Sequence, residues 1–228
     1  MTTFLNPTFI ISILIALSVH EWAHAMMAYR LGDYTAKEQG RLTLNPISHL
    51  DLLGTILFLT VGFGWGKPVP INERNFQHPR RDIALTAVAG PASNLVLALA
   101  AYISLTILSA SLPTQSVFAL LDIASGGSPL QIFFVQLLAS SLFINLGLMA
   151  FNLLPIAPLD GSKVLQSFVS YRYERQFDEF MRVGPYILLF LLLGEQLFGF
   201  PFLSGWITTI MSGVLWFFQS LMHVMPGL

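Results

Sequence analysis

Residues 4–28 read FLNPTFIISILIALSVHEWAHAMMA, an apolar run whose only ionisable side chains are His20, Glu21 and His24. At about 1.5 Å per residue, a helix over 5–29 is about 37 Å long, enough to cross a bilayer with some tilt. Two imidazoles and a carboxylate in hydrocarbon are costly, so ionisable groups in such a span read as functional. On a helix, positions i and i+4 share a face. His20 and His24 can therefore bind one metal ion, with Glu21 beside the open coordination position. That is the layout of a zinc hydrolase, set within a membrane.

Composition agrees with a membrane setting. Of 228 residues 54% are hydrophobic and 10% charged, against about 25% charged in soluble domains. Mean hydropathy is +0.69. A net charge of −1 argues against nucleic acid as a partner. With no cysteine there is no disulfide, thiolate metal site or cysteine nucleophile. The N-terminal run lacks the basic n-region of a cleavable signal, and is expected to be a retained first span.

Further long apolar helices are expected at about 83–111 and 130–152, and shorter ones at 184–199 and 203–224, divided at Gly199-Phe200-Pro201. Residues 50–65 are apolar but short for a span. Gly40 to Pro46 alternates as a short strand would, and 66–81 cannot be helical through Pro68 and Pro70. Residues 160–182 are polar and charged. The expected fold class is an all-α polytopic membrane protein with about five to six transmembrane helices, a re-entrant segment and short β-like stretches on the cytoplasmic side. It is read as a single membrane-embedded domain over 1–228, with a catalytic core at about 4–165 and C-terminal helices at about 184–224.

Charge sets the topology. All 11 Lys and Arg fall in three segments: Arg30 to Arg41, Lys67 to Arg81 and Lys163 to Arg182. By the positive-inside rule these are cytoplasmic. For the first two to share a side, 50–65 must enter and return, or lie shallow. The N-terminus is then external, and 112–129 forms an external loop. His24 lies six residues before Arg30, about 9 Å along the axis, so the metal sits near the inner face of the cell membrane.

Catalytic zinc typically takes three protein ligands and keeps one position for water. The best third candidate is Asp160, in Asn152-Leu-Leu-Pro155-Ile-Ala-Pro158-Leu159-Asp160-Gly161. Broken helix at membrane depth is tolerated where it lines protein or a water-filled cavity. Zinc would acidify water and polarise a scissile carbonyl, Glu21 would carry the proton, and Asn152 would bond substrate backbone or the developing oxyanion. Pro-Leu-Asp-Gly is also an ordinary turn sequence. Gly90-Pro91-Ala92-Ser93-Asn94 places a Pro and an Asn in the third apolar segment. Asn94 requires a partner there, and a contact between helices through small residues reads equally well. His49, His78 and His223 are expected at the surface or interface.

Together these motifs resemble the site-2 proteases, intramembrane zinc metalloproteases. His20-Glu21-x-x-His24 and Asn152-x-x-Pro155-x-x-x-Leu159-Asp160-Gly161 match the family signature in type and order, and residues 40–46, 67–70 and 90–94 look like its compact prokaryotic branch. The resemblance covers roughly residues 10–165. It implies one Zn2+ per chain on His20, His24 and Asp160, Glu21 as catalytic base, and a substrate contact at Asn152; Asn94 is also expected at the substrate. It also implies cleavage of transmembrane-helix protein substrates in the lipid bilayer, usually after another protease. The stretches 36–46 and 67–76 are expected to hold an unwound substrate strand. Between the motifs there is no room for the PDZ domain many members carry, so selection would fall to the membrane domain, to substrate helix instability or to an adaptor protein. Two other classes would use the same side chains: a membrane metal transporter, which usually shows internal repeats, and a non-catalytic helix-binding relative.

Overall fold

The computed structural model describes residues 6–61, 64–110 and 128–224. The expected external loop, 112–129, lies almost wholly outside them. The described chain is helical: α1 (Pro7–Arg30), α2 (Thr35–Glu38), α3 (Leu52–Val61), α4 (Pro79–Ala110), α5 (Pro129–Asn152), α6 (Asp160–Phe168), α7 (Glu174–Phe198) and α8 (Phe202–Val224). Five helices, α1, α4, α5, α7 and α8, are long and apolar enough to cross a membrane.

Local sequence starts and stops them. Asn6 caps α1, its side chain accepting from Thr8 N at 3.0 Å ahead of Pro7. Ser128 and Gln131 form a reciprocal capping box on α5. Gly199 ends α7 in the left-handed conformation at φ 66°. Glu195 then reaches forward to accept from Leu203 N at 2.9 Å, placing a carboxylate at the start of α8.

Helices α1, α4 and α5 pack on one another, α8 covers α5, and α7 lies against α8. Close approach depends on small residues, as expected where lipid gives no hydrophobic drive between helices. Ala16, Ala23, Ala25 and Ala28 are buried on α1, and Ala87, Ala98 and Ala101 on α4. Farther along, Tyr102, Leu105, Leu142, Leu146 and Phe218 form the main core, and Trp206 Nε1 on α8 donates to Ala150 O at 2.8 Å. Large apolar side chains face outward instead, among them Ile15, Val96, Phe134, Phe190 and Trp216. An apolar exterior on helices of span length fits a multi-pass membrane protein.

Two stretches differ from expectation. The polar region 160–182 contains α6 and the first turns of α7. Hydropathy reports membrane depth, so a polar helix at the boundary leaves no apolar run to find. Residues 40–46 form no strand, and the described residues hold a single isolated β-bridge, Leu50 with Gly66. With Lys67 N donating to His49 O at 2.8 Å, that bridge closes the two ends of the 50–66 segment on each other. Its helix α3 has 10 residues, about 15 Å, half of what a span requires. His49, expected at the surface, is fully buried, its Nε2 bonded to Thr43 O at 2.8 Å. His78 is exposed, and the side chain of His223 lies outside the described residues.

Candidate metal centre

His20 and His24 stand one turn apart on α1, both buried, and Asp160 approaches from the first turn of α6. Their ligand atoms converge. The two Nε2 atoms are 3.0 Å apart, and Asp160 Oδ2 lies 3.3 Å from that of His20 and 3.2 Å from that of His24. Donors about 2.0–2.1 Å from a tetrahedral ion stand roughly 3.3–3.4 Å from one another, so the triangle is close to one face of such a shell.

The other ring nitrogens fix what those three atoms are. His24 Nδ1 lies 2.7 Å from the carbonyl of Thr86 and must donate to it. His20 Nδ1 lies 2.6 Å from Asn94 Oδ1, while Asn94 Nδ2 donates to Asn145 Oδ1 at 2.8 Å and to Ala16 O at 3.3 Å. Asn94 Oδ1 is thus an acceptor and His20 Nδ1 its donor. In the neutral tautomers that metal binding requires, both imidazoles would turn Nε2 lone pairs toward each other and toward a carboxylate oxygen. Asp160 Oδ2 is buried without a hydrogen-bond partner. In that form three acceptors meet with no donor among them, which is the chemistry of a cation site, and the three residues are the described group able to hold a metal ion. The donor set fits zinc.

The surrounding chain allows this approach. Gly90 on α4 faces the imidazoles so closely that a Cβ there would lie 2.3 Å from His24 Nε2 and 2.6 Å from His20 Cε1. Gly161 does the same for α6: a Cβ would meet the carbonyl oxygens of Leu153 and Leu154 at 2.4 and 2.5 Å. The glycine after Asp160 lets α6 start directly against the end of α5. Pro91 inside α4 removes the bond to the Ala87 carbonyl, loosening the helix beside the Thr86 carbonyl that orients His24.

A cavity of about 150 Å³ opens on the three ligands, walled by Glu21, Asn152, Thr86, Pro158 and the segment Pro68–Val69, with Lys163 and Glu73 also in its lining. Glu21 Oε2 accepts from Val69 N at 2.9 Å. Asn152 Nδ2 donates within its own helix to Leu148 O at 3.0 Å. Asn94, expected at the substrate, is fully buried behind His20 and does not line the cavity. Its amide is spent on His20, Asn145 and Ala16.

Sequence reading missed Gly90, Thr86 and Asn145. Asn145 carried a usable signal, an amide in the apolar run of α5. Thr86 acts through its carbonyl and Gly90 through lacking a side chain, so neither announces itself by residue type.

Span-length apolar helices around a His-His-Asp group able to hold a metal ion, with Glu21 in the same cavity, are the parts expected of a membrane metallopeptidase. Residues 8–194 match the model of Peptidase family M50, and the chain belongs to that family: it is a zinc metalloendopeptidase. It is 43% identical over 165 residues to YwhC of Bacillus subtilis (strain 168), named as a candidate zinc metalloprotease, covering 72% of this chain and 70% of that one. Rip2 of Mycobacterium tuberculosis (strain H37Rv), named likewise, is 32% identical over 213 residues, covering 90% of this chain and 71% of that one. Rip2 of Mycolicibacterium smegmatis is 29% identical over 212 residues with the same coverages. No solved structure matches the chain significantly.

Proposed function

We propose that this protein hydrolyses peptide bonds within the transmembrane segments of membrane proteins, with zinc on His20, His24 and Asp160 and Glu21 as general base. The observation that carries the reading is the convergence of three buried acceptors, spaced as a tetrahedral face, in a cavity they share with Glu21. Bound there, zinc supplies a Lewis acid that polarises the scissile carbonyl and acidifies water. Glu21 Oε2 is held by Val69 N, which leaves Oε1 to take the proton of the attacking water and return it to the leaving nitrogen. Asn152 Oδ1 has no partner among the described residues and borders the cavity, so it accepts from a substrate backbone N–H. Asn94 and the Thr86 carbonyl hold both imidazoles in the tautomer that offers Nε2.

The site opens toward the cytoplasmic face of the cell membrane. Arg30 at the end of α1 and Arg81 at the start of α4 line one surface cavity, and His24 and Thr86 lie about a turn and a half inside them. The 50–66 segment dips into the bilayer and returns, and residues 1–228 act as one domain. Because 67–71 contains Pro68 and Pro70, an unwound substrate strand meets mainly carbonyls there. Selection rests on the membrane domain, on substrate helix instability or on an adaptor protein.

The test is reconstitution in liposomes with a set of single-span substrates, with the cut position read by mass spectrometry. Cleavage within the apolar span supports the reading. Cleavage only in soluble flanking sequence, or zinc flux without cleavage, overturns it.

A further inference from the structure

Proline has no N–H, so in Pro68-Val69-Pro70 the chain offers one backbone donor, that of Val69. It is spent on Glu21 Oε2, at 2.9 Å. The segment carrying it is pinned on both sides. Ahead of it, Lys67 N donates to His49 O at 2.8 Å and Lys67 O accepts from Arg41 Nη2 at 2.8 Å. Behind it, Asn72 N and Asn75 Nδ2 donate to the two carboxylate oxygens of buried Asp33, each at 2.8 Å. Between the pins, the Val69 side chain is buried against Ala25 and Ala36. Ala25 lies one turn from Glu21 on α1, so the apolar contact and the hydrogen bond register the strap on the same helix face.

We infer that this strap is a positioning device for the catalytic base, and that the Val69 backbone N–H is its working atom. The inference rests on Glu21 being the base. A carboxylate on a flexible stem in a cavity samples several rotamers. A charge-assisted bond to one oxygen, from a donor that cannot move, selects the rotamer that turns Oε1 to the reacting water. The two prolines leave the strap no other donor nearby, so the bond cannot slip by one residue. Val69 acts through Glu21 and touches no reacting atom.

The test removes the N–H while keeping the side chain. In the purified zinc-loaded protein, the Val69 amide is replaced by an ester through incorporation of the corresponding hydroxy acid, beside Val69→Pro. General bases contribute about 10²–10⁴-fold, and loss of orientation is expected to forfeit part of that. The ester is expected to lower kcat on a single-span substrate by about 10–100-fold, with KM within about twofold and bound zinc unchanged. Val69→Pro, which also lacks the N–H, follows the ester. A second readout needs no turnover: exchange of the Val69 amide proton is slow in the wild type and accelerates at least about tenfold in Glu21→Ala. An ester variant with wild-type or higher kcat overturns the inference while leaving the protease reading intact. A wild type that cleaves no membrane substrate overturns the protease reading, and unprotected exchange at Val69 then overturns the contact too.

Discussion

Replacing Gly90 with alanine tests the metal centre where helix propensity and site geometry predict opposite signs. Within a helix the change should stabilise, by about 0.5–1 kcal/mol. At this position the new Cβ would stand 2.3 Å from His24 Nε2 and 2.6 Å from His20 Cε1, where ordinary contact begins at 3.4 Å. The shortfall at His24 is about 1.1 Å, while ligand distances in zinc sites hold to about 0.2 Å. Neither imidazole can retreat cheaply, because Thr86 O and Asn94 Oδ1 hold their Nδ1 atoms at 2.7 and 2.6 Å. Zinc affinity is expected to fall at least about 100-fold, the upper end of what losing an outer-shell partner costs, or about 2.7 kcal/mol. The assay is zinc competition against a chelating dye in detergent, with far-UV circular dichroism to show that helix content persists. Stoichiometric, wild-type-affinity zinc in Gly90→Ala would refute the convergence of α1 and α4 at this point.

Asn94→Ala strands the His20 Nδ1–H and the Asn145 carbonyl, and should weaken zinc about 10–100-fold without unfolding the protein; the same dye titration reads it. Stripping zinc with a chelator should lower Tm at neutral pH, because three facing acceptors lose their cation, and restored zinc should raise it again with concentration. Asp33 lies outside the spans, and burial alone would raise its pKa. Hydrogen bonds from Thr35, Asn72 and Asn75 outweigh that and hold it below the ordinary 3.8. A depressed carboxylate contributes its full stability above the unfolded-state value and loses it as pH falls through the folded one. The Tm gap between wild type and Asp33→Asn should therefore be constant above about pH 5 and shrink below about pH 4. A gap that grows on acidification would contradict that sign.

What was legible in the sequence is what membrane physics makes expensive. His20, Glu21 and His24 stood out because polar groups in an apolar run require a reason, Asp160 because two prolines break the helix just before it, and the ends of α1, α4, α5 and α8 fell within a few residues of the structure. The polar turns of α7 and all of α6 were invisible to the same criterion. Gly90, the Thr86 carbonyl and the Val69 N–H act through backbone or through absence, which residue type does not encode. Asn94 was visible as a costly amide, but only the fold tells that it faces His20 and not the cavity. His49 lies at a segment end in sequence, and nothing local reveals that its ring is buried against the Thr43 carbonyl.

The most direct test of the account is cleavage of a single-span substrate by the purified protein in detergent, wild type against Glu21→Gln, with bound zinc determined for both. The account predicts cleavage by the wild type alone and about one zinc per chain in each. Equal cleavage by Glu21→Gln, or a wild type that binds no zinc and still cleaves, would contradict it.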